Sequence, residues 1–554
     1  MPHSVLFRDL PHAFRIRRAG PLLWPACRAL LAMAVPLVVL LALDRLDLVA
    51  GAVFGALTSV YSRNDPHRRQ MRTLAAVAVG MVLSVAIGDL VAVLAGGSNW
   101  HVPVALLATA VVGASATLAC TAVKTGAPGG LIFAFAAGAC AHLPLSAGDL
   151  PAHLGVTAAS AALAWVVAYA GSLWRGLRPQ REAVARALEA TAAHRQAPAG
   201  LSTRHRAAVA VEHAWNSVAE VGKRHRGTPA WVESVQAVEV CEAVLVRAAE
   251  EAEDGSVEGL DKAVPKDTAG DTVSADDLCA AAAAVRRGDS PRLPVVGART
   301  VPSVAEPASR WRVLRGLGVA ALRPGQHTSA WLLPYAARVG FAAFAAGVLT
   351  HALGIGHAYW AAVSAVSVLQ ATSTSSSVPR MVQRVAGTVF GVLLGLALLS
   401  VHPAAWVVVL LLAGLQWGAE MTVTVNYAFG LFFATPVALL VSALGSSLPP
   451  HELAGDRLWA TLLGAAVAVV VARLAPKGAW LSRVHAALDT VRGLSTAAQP
   501  DAARLRAALL DLHEAYDVAS GEVSPERLPT EELLTVSHHA YRVLDGRVAV
   551  GAAR

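Results

Sequence analysis

The sequence predicts an all-α, polytopic membrane protein: two parallel repeats of about six transmembrane helices, a cytoplasmic helical insert between them and a cytoplasmic helical tail. Three observations predict it. The 554 residues are 55% hydrophobic and only 15% charged, where soluble chains carry about 25% charged residues; the mean hydropathy is +0.51. Apolar stretches close to the roughly 20 residues that cross a bilayer recur in two separate regions. Those regions also echo one another. Leu22-Leu23-Trp24-Pro25-Ala26-Cys27-Arg28-Ala29 returns as Leu332-Leu333-Pro334-Tyr335-Ala336-Ala337-Arg338-Val339, and His101-Val102-Pro103 as His402-Pro403. The loop Ser146-Ala147-Gly148-Asp149 returns as Leu453-Ala454-Gly455-Asp456, each expected just before an apolar span.

In chain order, spans are expected near 22–43, 46–62, 71–95, 102–123, 128–146 and 152–174 in the first half. The second half gives 331–350, 353–371, 381–401, 404–424, 425–445 and 457–475, the second and eighth spans being short. The first span is longer than a signal-peptide core and reads as a retained helix.

Basic residues mark one side of the membrane. Arg8, Arg15, Arg17 and Arg18 precede the first span, Arg63, Arg68, Arg69 and Arg72 follow the second, Lys124 follows the fourth, and Arg175, Arg178 and Arg181 follow the sixth. Arg312, Arg315, Arg323, Arg380, Arg384, Arg473 and Lys477 repeat the pattern. The positive-inside rule then places both termini and the insert in the cytoplasm. Six spans return the chain to its starting side, so the repeats would be parallel. The expected domains are 1–175 and 326–476 in the membrane, 176–325 as the insert and 477–554 as the tail. Helical spacing is read at 181–196, 203–226 and 230–251, and in the tail at 502–517 and 531–544; Glu250–Asp271 and Gly288–Pro307 read as linkers.

The net charge of +8 sits at span ends, which favours membrane orientation over a nucleic-acid partner. The five cysteines (27, 120, 140, 241, 279) lack zinc or disulfide spacing and read as packing residues. No phosphate loop, zinc-protease helix or nucleophile elbow stands in the chain, so neither an enzyme nor a cofactor or metal is expected.

A few residues carry chemistry into the spans. Arg28 and Arg338 hold equivalent places inside the first span of each half. An arginine there faces the bundle interior, and hence an anion, or snorkels to headgroups. Arg384, next to Gln383, either meets phosphates or points at an anion. Gly387, Gly391 and Gly395 follow at intervals of four and read as helix packing. Glu420 carries a coupling proton or pairs with an arginine such as Arg384. Tyr359 and Trp360 open the eighth span as an interfacial aromatic anchor or as part of a broken-helix substrate site.

The run Tyr359-Trp360-Ala361-Ala362-Val363-Ser364, then Gln370, then Gln383-Arg384-Val385-Ala386-Gly387-Thr388 with Gly391 and Gly395, resembles the core of the fusaric acid resistance family. Asn426-Tyr427-Ala428 with Thr435-Pro436, and Asp456-Arg457 with Thr461-Leu462-Leu463-Gly464, resemble its later spans. The likeness covers about 331–475; in the first half only Arg72 and Gly80 echo it. It implies a bacterial inner-membrane secondary exporter of small organic anions, aromatic carboxylates or acidic drug-like compounds, related to aromatic acid exporters. Expected substrate contacts are Arg28, Arg338, Arg384, Gln383, Trp360 and Asn426, with Glu420 in coupling. Partners would be the organic anion, the bilayer and a second copy in a homodimer. The alternatives are a passive anion channel, similar in architecture to aluminium-activated malate channels, or a membrane scaffold.

Overall fold

In the computed structural model, the described residues are 23–63, 65, 67–123, 125–197, 201–219, 221, 226–254, 273–293, 332–370, 374–444, 448–474, 478–497, 499–520 and 528–544. They form helices and connecting turns, with no strand among them. The arginines expected at 8, 15, 17, 18, 312, 315 and 323 lie outside these residues, as do most of both linkers. The chain divides into two compact units: residues 1–64, 70–173 and 313–476, and residues 65–69, 174–312 and 477–554.

Among the described residues the first unit contains twelve apolar helices in chain order. They are α1 (Leu23–Ala42), α2 (Leu46–Val60), α3 (His67–Ala95), α4 (His101–Val123), α5 (Leu131–Cys140), α6 (Leu150–Arg175), α7 (Leu332–Ala352), α8 (Tyr359–Leu369), α9 (Thr374–Ser400), α10 (Ala405–Thr422), α11 (Tyr427–Leu444) and α12 (Pro450–Leu474). Among the described residues nine are long and apolar enough to cross a membrane, and α2, α5 and α8 are shorter. The chain is a multi-pass membrane protein.

Two expectations need correcting. The fifth span is not a full crossing, because α5 covers only ten residues. Pro128, Gly129 and Gly130 delay its start, and Pro144 follows its end. The last span starts seven residues early. Pro450 stands at the first helical position and Glu452 in the first turn, both favourable at a helix N-terminus. Leu453–Asp456 is therefore helical rather than a loop.

Packing follows the small residues, which let helix backbones approach in a membrane. In the second half α9 lies on α11 and α8 on α12. A side chain at Gly387 would strike the carbonyl of Ala428, so glycine is required there. In the first half Gly88 of α3 meets α5 at Ala137 and Cys140, and Gly55 of α2 meets α6 at Thr157, helices of the same order in the chain. The halves also exchange partners, α1 packing on α10 and α4 on α7.

The second unit is built from the insert helices α13 (Arg178–Gln196), α14 (Leu201–Ala219), α15 (Pro229–Asp254) and α16 (Ala275–Arg287) and the tail helices α17 (Gly478–Ser495), α18 (Ala502–Ser520) and α19 (Thr530–Leu544). The helix α16, between the two stretches that read as linkers, is set by its ends. Ser274 and Asp277 form a reciprocal capping box, and Gly288 closes the helix at φ 91°. Insert and tail pack on each other through α14 with α18 and α15 with α19. Arg506 of α18 grips Glu242 of α15 at 3.0 and 3.1 Å and lies 4.7 Å over the Trp215 ring.

Candidate functional site

The two short helices α2 and α8 end inside the bundle, where their last carbonyls have no water to bond. Arginines from other helices supply the donors. Arg28 of α1, wholly buried, donates from one Nη2 to the carbonyls of Ser59 and Tyr61, the latter at 2.9 Å. Arg380 of α9 donates from Nε to the carbonyl of Ser367 at 3.1 Å, with its guanidinium 4.4 Å over the Tyr427 ring.

One turn further along α9, Arg384 is 1% exposed and bonds only to hydroxyls. Its Nη1 meets Ser367 Oγ at 2.9 Å and Tyr427 OH at 3.0 Å, and its Nη2 meets Ser364 Oγ at 3.1 Å. The two serines sit three residues apart on α8, hence on one face. Tyr427 opens α11. Its hydroxyl also lies 2.6 Å from Ser367 Oγ, which closes a small hydroxyl network. None of these partners carries the opposite charge.

Arg457 of α12 is 5% exposed, and its Nε and Nη1 are buried without a hydrogen-bond partner. Its guanidinium rests 5.0 Å over the ring of Trp360, which also stacks on His357 at 4.7 Å. Trp360 is thus wholly buried, not an interfacial anchor: its α8 is surrounded by protein.

Arg384 and Arg457 line one cavity of about 160 Å³. Its walls are apolar, with Phe54, Phe135, Leu431 and Val437 prominent. Along α11 the lining runs from Tyr427 to Val441, about 21 Å at the helical rise of 1.5 Å per residue. Arg63 and Glu420 line it as well, joined as a bidentate pair at 2.8 and 2.9 Å. Glu420 is therefore matched by Arg63, not by Arg384. Among the described lining residues this leaves two guanidiniums with no carboxylate against them. The arrangement can hold an anion with an apolar body, since buried charge is stable only when paired.

Of the seven residues singled out by sequence, Arg384 and Glu420 line the cavity. Arg28 is engaged by the end of α2, and Trp360 lies under Arg457. Arg338 is half-buried, 5.5 Å from the ring of Tyr335 on its own helix. Gln383 is half-buried on α9. Asn426 caps α11 by accepting the Ala428 N–H at 2.9 Å. Arg457, Tyr427 and Ser364 are legible only as members of motifs and Ser367 not at all, because their convergence with Arg384 depends on how four helices cross.

Residues 342–471 match the family described as fusaric acid resistance protein-like. The match runs from α7 through α12 and contains Arg384, Glu420 and Arg457. The chain is also similar to an uncharacterized membrane protein of Bacillus subtilis, YvaC, with 32% identity over 199 residues. It is similar to an uncharacterized protein of Neisseria gonorrhoeae, ORF2, with 30% identity over 191 residues. Each alignment covers 34% of this chain, against 31% of the Bacillus protein and 44% of the Neisseria protein. The chain thus spans less than half the length of either relative. No solved structure matches.

Proposed function

We propose that this protein is a secondary efflux transporter of small organic anions, and that the cavity between Arg384 and Arg457 is its substrate site. One observation carries the reading: two buried, uncompensated guanidiniums in an otherwise apolar cavity. A carboxylate would satisfy the open Nε and Nη1 of Arg457, and guanidinium–carboxylate bonds are among the strongest polar contacts. Size narrows the class. An apolar cavity of about 150 Å³ accommodates benzene, so the cavity of about 160 Å³ suits a single aromatic ring bearing one acid group. The fusaric acid resistance likeness over the same residues supports the export direction and a bacterial inner-membrane location.

The pairing of α9 with α11 and α8 with α12, matched in the first half, supports descent from a duplicated six-helix unit. In this reading the second half supplies the anion contacts and the first half supplies apolar wall.

A passive anion channel is the second reading, favoured by the length of the cavity along α11. Against it stands the Arg63–Glu420 pair, which puts a carboxylate on the cavity wall where an anion path would meet it. Purified protein in liposomes separates the two. With the uptake of protein-free liposomes subtracted, since neutral benzoic acid crosses a bilayer unaided, a transporter accumulates radiolabelled benzoate when a pH difference is imposed. Currents that follow voltage alone, with no accumulation, would establish the channel.

A further inference from the structure

A second polar cluster lies in the first half, away from the cavity-lining residues. Asp89 stands six residues before the end of α3 and His153 at the fourth position of α6, and both are wholly buried. His153 Nδ1 and Asp89 Oδ2 are 2.8 Å apart. The other two polar atoms, Asp89 Oδ1 and His153 Nε2, are buried with no hydrogen-bond partner. Cys140, the last residue of α5 and also wholly buried, brings its sulfur into the same group, all three ligand-type atoms lying within 4.8 Å. The surrounding walls are tight: α2 presses Gly51 against His153, and α5 approaches α3 at Gly88.

We propose that Asp89 and His153 form a proton-binding site in the bundle, and that its proton is the one coupled to anion export. The coupling part rests on the export reading; the proton site does not. The geometry defines two states. With one proton between Nδ1 and Oδ2, the pair carries a charge of minus one. A second proton on the open Nε2 makes it an imidazolium–carboxylate pair of zero net charge. No covalent bond changes, and the charge inside an apolar shell switches by one. Ionisable side chains buried in a membrane bundle are costly and recur as proton relays. A histidine–aspartate pair in the second half is different in kind. His357 and Asp456, 2.9 Å apart, are partly exposed, and Asp456 Oδ1 accepts the Gly356 N–H, so no carboxylate oxygen is left open.

The other titratable groups nearby are few. The α5 face offers the Cys140 thiol, and two residues on, His142 stacks near His101 at 5.4 Å and Tyr359 at 5.0 Å. Just before α6, Asp149 lies one turn ahead of His153, exposed and bonded to Ser146. The Val49–Ala56 stretch of α2 has no titratable side chain. The first set of rings continues through His357 to Trp360 and so to Arg457.

The test uses the full chain in liposomes and two readouts. An infrared difference spectrum between neutral and acidic pH should contain an imidazole–carboxylate signal that disappears in Asp89→Asn and in His153→Gln and persists in Glu420→Gln. Should Asp89→Asn fail to fold, Asp89→Glu must shift the signal rather than remove it. For transport, above the leak of protein-free liposomes, a pH gradient of one unit should raise benzoate accumulation by about tenfold, the ratio that one pH unit sets for one coupled proton. In folded His153→Gln that stimulation should vanish, while benzoate exchange at equal pH continues. A signal that survives both substitutions, or that follows Glu420 instead, overturns the proposal. So does stoichiometric zinc retained by the purified protein. If the infrared result holds but the wild type moves no benzoate, the export reading fails and the proton site stands.

Discussion

Glu420 is held by Arg63 through two parallel hydrogen bonds, at 2.8 and 2.9 Å, across 357 residues of sequence. The carboxylate is 3% exposed and the guanidinium 16%. Breaking a buried pair from one side leaves a bare charge and costs about 3 kcal/mol at the lower end of such measurements, whereas removing both charges costs less. Glu420→Gln and Arg63→Gln should each lower the thermal midpoint in detergent. The double variant should recover much of the loss. Additive effects of the two substitutions would show that the pair contributes no coupling energy.

Arg457 answers to a different measurement. Arg457→Gln removes the charge without emptying the space, so benzoate binding by calorimetry should weaken by about 10- to 100-fold, the loss of one or two charge-assisted bonds. The thermal midpoint should hold or rise, because an unpaired buried charge has gone. Arg338→Ala, whose guanidinium lies over Tyr335 outside the cavity, should change binding far less. Equal effects of the two substitutions would move the anion away from the cavity.

For Arg28 the expected loss is of fold rather than of affinity. Without it the carbonyls of Ser59 and Tyr61 lose their donor inside the bundle, at about 1–3 kcal/mol each. Arg28→Ala should therefore cut the yield of monodisperse protein, and Arg28→Lys, which retains one donor group, should restore part of it. A well-folded Arg28→Ala that no longer binds benzoate would instead make Arg28 a substrate contact.

The second unit has a pH signature of its own. His513 of α18 is buried beside His205 and Arg204, and burial first, then those two groups, depress its pKa to about 3 from the ordinary 6.5. The unfolded chain then binds a proton that the folded unit refuses. Stability is therefore complete above pH 6.5 and declines as the pH falls toward 3, by up to about 1.4 kcal/mol per pH unit. The protection factors of α18 amides in the full chain, corrected for the intrinsic pH dependence of exchange, should fall over that window. His513→Leu should flatten the dependence, and an unchanged profile in that variant would clear His513 of the role.

Much of the frame was legible before any coordinates. Each of the twelve apolar stretches became a helix, because burial in lipid demands internal backbone hydrogen bonds. Lengths were less legible, since Pro128 with its glycines shortens α5 and Pro450 lengthens α12. Side-chain roles were the least legible. Trp360 reads as an interfacial residue by composition and place, but its helix is wrapped by neighbours. Asp89 and His153 stand 64 residues apart, and Glu420 and Arg63 stand 357 apart, so only the crossing of helices reveals the partner. Arg457 stands at the edge of the span read from sequence, 457–475, and only the helix start at Pro450 carries it two turns inside.

The exchange of partners between halves sets a timetable for biogenesis. Helix α1 leaves the ribosome early, with Arg28 already in it, but its packing partner α10 begins only at Ala405. At translation rates of roughly 5–20 residues per second, that gap lasts on the order of 20–80 seconds. During it, one face of α1 waits against lipid or a chaperone of the insertion machinery. Truncated chains that stop before α10 should therefore accumulate as substrates of membrane quality control, however well their own helices insert.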